Sequence, residues 1–224
     1  MSHASKRIAI LISGRGSNME AFLDAVRQEQ LHATIACVVS NRPNAQGLLT
    51  ARSAGVATEC VDHTRFTTRE VFDEALANTL DAYQPDLLVL AGFMRILTGT
   101  FVERFAGRLI NIHPSLLPKY PGLNTHQRAL DAYEREAGAT VHYVTPELDG
   151  GPPILQARVA VEATDDASSL AARILPLEHA IYPVAAQLHL SGRLTLQGNQ
   201  ALLDGETLPP SGLDWHHDAH RLQV

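Results

Sequence analysis

Short apolar segments alternate with amphipathic ones through the first half of the chain, and this alternation constrains the fold more than any other feature. Residues 6–13, 34–40 and 86–91 are mostly apolar, without a polar residue at every second position. Strands of this kind are buried on both faces, as in a parallel sheet that is covered by helices on its two sides. We therefore predict a Rossmann-like α/β unit over residues 1–110, with a mostly parallel sheet.

The amphipathic segments predict the helices of this half. The first helix has apolar residues at helical spacing, namely Met19, Phe22, Leu23 and Val26. A second helix is predicted over residues 45–54, followed by a short strand over 58–61. The buried side of the next helix is predicted to comprise Phe72, Leu76 and Leu80. Two capping boxes are expected at helix starts, Ser17 with Glu20 and Thr67 with Glu70.

The second half, residues 111–224, has a mixed pattern. Its predicted strands and hairpins cover residues 108–113, 139–144 with 154–161, and 193–203; its predicted helices cover 124–133 and 165–190. Pro176 lies inside the long helix and is expected to kink or break it. We predict that the two halves form a single domain over residues 1–224.

Composition and charge exclude several classes of protein. The 224 residues are 45% hydrophobic, with a net charge of -6 and no basic cluster of the kind that binds nucleic acid. No apolar run reaches the roughly 18 residues that span a bilayer. The polar segment 1–6 lacks a signal-peptide core, so a cytoplasmic location is expected. Cys37 and Cys60 are expected to be buried, reduced thiols rather than a disulfide or redox pair.

A glycine loop with the sequence Gly-Arg-Gly-Ser-Asn, residues 14–18, separates the first strand from the first helix. Free backbone N–H groups at a helix N-terminus bind phosphate. The dinucleotide-binding version needs a third glycine where Met19 stands, and an acid where the sequence has residues 40–42, Ser-Asn-Arg. A phosphomonoester therefore fits better than a nicotinamide cofactor, while a purely structural turn stays open.

Asn111 and His113 lie two residues apart near the end of a predicted strand, so their side chains share one face. The carboxyl ends of strands border the ligand crevice in open α/β sheets. Pro114, Pro118 and Pro121 stiffen the loop that follows. A pair of hydrogen-bonded core side chains stays open as the alternative.

Asp149 lies in a turn rich in glycine and proline, residues 147–152. Read alone, it fits a turn-forming aspartate better than a functional one. Together with Asn111 and His113 it suggests acyl transfer without a metal or a covalent intermediate. Asn111 and His113 would donate to an oxyanion, and Asp149 would hold the imidazole and assist proton transfer.

Two other chemistries fit the sequence less well. A serine hydrolase needs a Gly-x-Ser-x-Gly elbow, which does not occur. A zinc site could in principle use His113, His126, His142 and Asp149, but their spacing matches no local ligand motif. The histidines of the tail, at 216, 217 and 220, are expected to be solvated rather than metal-bound.

Five segments carry a resemblance to a known family: residues 12–18, 91–97, 111–122, 141–151 and 178–183. With these motifs nearly the whole chain resembles the phosphoribosylglycinamide formyltransferases of purine synthesis, which belong to the folate-dependent formyltransferases. The resemblance implies the formyltransferase fold and direct transfer of the formyl group of 10-formyltetrahydrofolate to the amine of glycinamide ribonucleotide. It assigns phosphate binding to the first half of the chain, and folate binding and catalysis to the second.

The resemblance also implies roles for single residues. The implied catalytic residues are Asn111, His113 and Asp149. The implied ribonucleotide-binding residues are Gly16, Ser17, Asn18, Arg69 and Glu178. The implied folate-binding residues are Met94, Arg95, Ile96, Leu97 and Val144. Leu175 stands where relatives are expected to carry a longer polar side chain near the phosphate, and Arg15 could supply that charge instead.

In this interpretation the folate is a co-substrate, and no tightly bound cofactor, metal, nucleic acid or membrane partner is expected. The protein would act as a monomer or homodimer. The nearest alternative is a 10-formyltetrahydrofolate hydrolase, which is expected to carry an additional N-terminal domain. A transfer-RNA formylating enzyme would need a further C-terminal domain and a basic surface. A regulatory module without catalysis is disfavoured by the three implied catalytic side chains.

Overall fold

The computed structural model describes residues 5–222, and the chain divides into two compact units between residues 110 and 111. The predicted polar start, residues 1–6, lies mostly outside the described residues. The first unit contains strands β1 (Lys6–Ile12), β2 (Ala33–Ser40), β3 (Thr58–Cys60) and β4 (Leu87–Leu90), and helices α1 (Ser17–Arg27), α2 (Gln46–Ser53), α3 (Arg69–Asp81) and α4 (Gly99–Arg104). Strand β5 (Leu109–His113) begins in this unit and ends in the second.

The sheet of the first unit has the strand order β3-β2-β1-β4, and all of these pairs are parallel. Parallel crossovers are right-handed, so α1 and α2, which lead to β2 and β3, cover one face. Helix α3 carries the chain back past β1 to β4 and covers the other face. Residues 8–12 of β1 are fully buried between these layers. The Rossmann-like prediction for this half is therefore confirmed.

The direction of winding reverses between β1 and β4, which is where open α/β sheets bind ligands. At this point the segment after β4 is tied to the segment after β1. The N–H of Ser13 donates to the carbonyl of Gly92 over 3.2 Å, and the N–H of Met94 donates to Ser13 Oγ over 2.7 Å. The glycine loop and the segment after β4 are thereby held side by side.

The second unit contains strands β6 (Glu136–Tyr143), β7 (Pro153–Ala160), β8 (Leu194–Gln197), β9 (Gln200–Leu203), β10 (Glu206–Thr207) and β11 (Leu213–Asp214), with helices α5 (Thr125–Asp131) and α6 (Ala167–Leu190). Strand β7 pairs antiparallel with β6 and parallel with β11. Strands β8, β9 and β10 form a separate antiparallel sheet. Both predicted hairpins are confirmed, whereas α4, β10 and β11 were not predicted.

Helix α6 is 24 residues long and runs through Pro176 and Pro183 without interruption, so a break at Pro176 is excluded. A proline inside a helix removes one backbone hydrogen bond. Ile181 and Tyr182 are fully buried, and α6 packs on β6 and β7. Tertiary packing of this kind stabilises the helix despite its prolines.

Three local predictions were wrong. Helix α1 has Gly16 as its N-cap, in the left-handed conformation with φ 76° and without a side-chain cap, so Ser17 is its first residue and cannot form the capping box. Helix α3 is capped by Thr68 rather than Thr67, through the N–H of Val71. Cys60 is exposed because it ends the edge strand β3. Cys37 is buried, and its burial raises the pKa of its thiol to about 12; both thiols are free.

The C-terminal segment is built on β11, where the N–H of Trp215 donates to the carbonyl of Gln156. The side chains of His216, His217 and His220 are exposed, as predicted. Within residues 5–222 no helix is both long enough and apolar enough to cross a membrane.

Candidate active site

His113 and Asp149 form the centre of the candidate site, in the second unit. His113 Nδ1 lies 3.4 Å from Asp149 Oδ2, and the two side chains are only 7% and 10% exposed. The N–H of Gly122 donates to the same carboxylate oxygen over 2.8 Å. The predicted approach of the imidazole and the acidic turn is therefore present in the structure.

The turn that carries Asp149 depends on the glycine at position 151. A Cβ atom there would lie 1.8 Å from the carbonyl oxygen of Tyr143, so only glycine lets the turn pass this close to the end of β6. Asp149 itself has φ 50°, a left-handed conformation that aspartate tolerates better than most residues. The position of the carboxylate is thus set by the backbone on both sides.

The hydrogen bonds of His113 identify which of its nitrogens exchanges a proton. Nε2 lies 2.8 Å from the carbonyl oxygen of Tyr120, which can only accept, so Nε2 carries a hydrogen. Nδ1 is then the nitrogen that gains or loses a proton, and it faces Asp149. The pair can therefore hold and pass on a single proton.

His142 orients the third side chain, the amide of Asn111. Its Nδ1 lies 2.8 Å from the carbonyl oxygen of Tyr143 and so donates, which leaves Nε2 as the acceptor of the neutral ring. Asn111 Nδ2 donates to that Nε2 over 3.1 Å. This bond uses one N–H of the Asn111 amide, and the other N–H remains for a different acceptor. The sequence alone assigned no role to His142.

The neutral state of His142 follows from its burial. Loss of hydration lowers its pKa from the ordinary value of 6.5 to about 4; the Tyr143 carbonyl and the charge of Asp149 oppose the shift, and His113 adds to it. A neutral imidazole accepts from Asn111, whereas an imidazolium could not. The arrangement of the site therefore depends on this ring staying uncharged.

We expect this buried ring to make stability depend on pH. The unfolded chain binds a proton at His142 below pH 6.5, while the folded chain resists doing so until about pH 4. The free energy of unfolding should therefore decrease as the pH is lowered through this window, by roughly 3 kcal/mol for this one group. Urea unfolding of the wild type and of His142→Gln at pH 7, 5.5 and 4 would measure it. Equal pH slopes for the two proteins would contradict the assignment.

A buried hydrogen-bond network fixes the loop that supplies the Tyr120 carbonyl. Thr140 Oγ1 donates to the carbonyl of Ser115 and accepts from the N–H of Leu117. Gln156, which faces Thr140 across the β6–β7 pair, donates to Thr140 Oγ1 and to the carbonyl of Leu117. These bonds, and not only the prolines, hold the loop in place.

The candidate zinc ligands do not form a metal cluster. His142 Nε2 lies 3.8 Å from Asp149 Oδ1, and His126 lies on α5 with its Nε2 buried and without a hydrogen-bond partner. Across the described part of the chain, no group of three or more His, Cys, Asp or Glu side chains has the geometry to hold a metal ion.

In the first unit, the glycine loop has the geometry expected of an anion site. Because Gly16 is the N-cap, the backbone N–H groups at the start of α1 have no carbonyl one turn earlier in the helix to donate to. Arg15 is exposed on the same loop. The N-terminus of α1 thus offers backbone donors and a favourable dipole to a phosphate.

The predicted folate-binding segment, residues 94–97, follows β4. Met94 and Ile96 are 64% and 56% exposed, whereas Leu97 is buried and Arg95 is half-buried over the ring of Phe72. Two large apolar side chains in water at the switch point of the sheet form a surface suited to an apolar ring.

The remaining predicted residues occupy separate places. Arg69 is exposed on the first turn of α3, in the first unit. In the second unit, Glu178 is buried on α6 and Val144 is half-buried after β6.

Comparison with known proteins gives the family. Residues 6–186 match the family model described as formyl transferase. The phosphoribosylglycinamide formyltransferase of Escherichia coli strain K12 is 51% identical over 205 residues, which cover 92% of this chain and 97% of the relative. The Haemophilus influenzae protein of the same name is 45% identical over 207 residues, or 92% of this chain and 98% of the relative.

Solved structures agree with this result. The phosphoribosylglycinamide formyltransferase of Coxiella burnetii, solved in complex with CHES, has a TM-score of 0.90 and 47% identity, covering 94% of this chain and 99% of its own. The predicted formyltransferase fold is thereby confirmed. The relatives described above, which this chain matches over nearly their whole length, are phosphoribosylglycinamide formyltransferases. The chain belongs to the formyl transferase family.

Proposed function

We propose that the protein transfers the formyl group of 10-formyltetrahydrofolate to the amine of glycinamide ribonucleotide, a step of purine biosynthesis. The observation that carries the proposal is the buried pair of His113 and Asp149, with Asn111 held beside it, in a chain of the formyl transferase family. An amide donor, an imidazole and a carboxylate are the groups that acyl transfer to an amine requires.

The chemistry is a direct transfer. The amine nitrogen attacks the formyl carbon, a carbon–nitrogen bond forms, and the carbonyl oxygen becomes an oxyanion. The second N–H of Asn111 donates to that oxygen. His113 Nδ1 lies 3.4 Å from Asp149, longer than a typical hydrogen bond, so an N–H there can be shared with the oxyanion.

The intermediate then collapses, and the bond between the formyl carbon and N10 of the folate breaks. The attacking amine gives up one proton, and N10 takes up one proton as it leaves. We propose that Asp149 and His113 carry this proton, because His113 Nδ1 is the exchangeable nitrogen and faces the carboxylate. The folate acts as a co-substrate, and the reaction needs no tightly bound cofactor.

The binding roles extend the proposal. The backbone N–H groups of residues 16–18 would hold the ribonucleotide phosphate, with Arg69 and Glu178 contacting the rest of that molecule. Residues 94–97 and Val144 would contact the folate, because Met94 and Ile96 present exposed apolar side chains. The substrates are small molecules, and the state of assembly, monomer or homodimer, stays a prediction.

Arg15→Ala is expected to raise KM for the ribonucleotide by about threefold to tenfold, with kcat nearly unchanged. Arg15 lies between the two glycines of the loop, so its charge is next to the proposed phosphate site. Steady-state kinetics at saturating folate would measure the effect. Arg27→Ala, at the far end of α1 and paired with Asp24, is the matched control. An unchanged KM for the ribonucleotide in Arg15→Ala would show that Arg15 does not bind the phosphate.

The proposed function is tested by following the absorbance of a 10-formyl folate as it loses its formyl group. Deformylation that requires glycinamide ribonucleotide supports the transferase, and the formylated ribonucleotide should appear in equal amount. Deformylation at the same rate without the ribonucleotide would identify a hydrolase and overturn the proposal.

A further inference from the structure

Asp73 is a buried carboxylate on α3 whose hydrogen-bond partner among the described residues is Thr98. The residue is 2% exposed. Its Oδ2 accepts from the backbone N–H of Thr98 over 2.6 Å, while its Oδ1 is buried without a hydrogen bond among the described residues. Burial raises the pKa of this carboxyl, against the opposing effects of Thr98, Arg69 and Arg95. Burying a carboxylate is costly, so its retention here calls for a physical reason.

The bond from Asp73 fixes one end of the segment that follows β4. Thr98 is the N-cap of α4, where its Oγ1 accepts from the N–H of Phe101 over 3.3 Å. The other end of the segment is fixed by Ser13 through Gly92 and Met94. The exposed side chains of Met94 and Ile96 lie within this twice-anchored stretch.

Arg95, which lies between Met94 and Ile96 in the sequence, packs against the helix that carries Asp73. The Arg95 guanidinium lies 5.6 Å from the centre of the Phe72 ring, and its Nε is buried without a hydrogen-bond partner. Its charge is close enough to Asp73 to oppose the rise of the carboxyl pKa.

We propose that Asp73 is a positioning residue for folate binding: its side chain accepts from the N–H of Thr98, and so holds Met94 and Ile96 in the arrangement that receives the folate. The inference rests on the proposed function, which assigns residues 94–97 to the folate. Asp73 does not itself touch the substrate in this proposal.

Kinetic constants separate this role from a general contribution to stability. Asp73→Ala should raise KM for 10-formyltetrahydrofolate about tenfold, because the segment loses one of its two anchors, with kcat and the ribonucleotide KM nearly unchanged. Asp73→Asn should stay close to the wild type, because its amide oxygen still accepts from Thr98 and only the charge is lost. Should Asp73→Ala fail to fold, Asp73→Ser, too short to reach Thr98, takes its place.

Asp86→Ala is the matched control. Asp86 also accepts a backbone N–H, that of Arg7 over 2.8 Å, but it precedes β4 and therefore lies at the opposite end of that strand. This variant should lose stability without a selective change in the folate KM. An equal rise of the folate KM in Asp86→Ala and Asp73→Ala would overturn the proposal.

Hydrogen exchange tests the positioning without any assay of activity. Amides of residues 94–98 should exchange faster in Asp73→Ala than in the wild type, in Asp73→Asn or in Asp86→Ala. Unchanged exchange in Asp73→Ala would overturn the positioning role. A wild type that fails to transfer formyl groups would instead overturn the proposed function, so the two failures are distinguishable.

Discussion

Replacement of Asp149 by asparagine is expected to lower kcat by roughly 10²–10⁴-fold while KM for each substrate changes only a few-fold. Asparagine matches the shape of aspartate and tolerates the left-handed φ of 50° at this position. Its side-chain oxygen can still accept from the N–H of Gly122. It cannot take up the proton that the attacking amine releases, so the loss should fall on the chemical step.

Steady-state kinetics with both substrates, together with a thermal melt, would measure this effect. Glu147→Gln is the matched control, because Glu147 is an exposed carboxylate in the same turn, and its kcat should be that of the wild type. A kcat within a few-fold of wild type for Asp149→Asn would show that the carboxylate carries no proton in the slow step.

The sequence predicts those parts of the fold that depend on local periodicity. Residues 8–12 of β1 are all apolar because both faces of the strand are covered there, and α3 shows its buried side as Phe72, Leu76 and Leu80. Asn111 and His113 can be assigned to one face of β5 from the sequence because side chains alternate along a strand. Helix α4, with less than two turns, and strand β11, with two residues, are too short to show a period.

What the sequence could not give depends on contacts between distant residues. The approach of Asp149 to His113 is predicted, but the close passage of Gly151 over Tyr143 on which it depends is encoded by no spacing. The bond between Thr140 and Gln156 depends on the register of β6 and β7. The role of His142 in orienting Asn111 is visible only in the structure, through the contact between the two side chains.

Asp73 left a weak signal in the sequence. It lies three residues before Leu76 and seven before Leu80, on the apolar side of a helix whose other polar residues are exposed or half-buried. A carboxylate at such a position indicates either that this part of the helix is exposed or that the carboxylate has a buried hydrogen-bond partner. Only the structure shows that the partner is the N–H of Thr98.

Asn111→Ala is expected to lower kcat by roughly 10²–10³-fold, the usual cost of losing one donor to an oxyanion. The donor is prepared in advance, because neutral His142 holds one N–H of the amide and thereby directs the other. His142→Leu should therefore reduce kcat less than Asn111→Ala, since the amide remains but loses its orientation.

The two changes should not be additive. Once Asn111 is alanine, His142 has no amide to orient, so the double variant should be about as slow as Asn111→Ala alone. Asn199→Ala, at an exposed turn of the same unit, controls for the loss of an amide elsewhere. Single effects that multiply in the double variant would mean that His142 acts independently of Asn111. A kcat near that of the wild type for Asn111→Ala would mean that other donors stabilise the oxyanion.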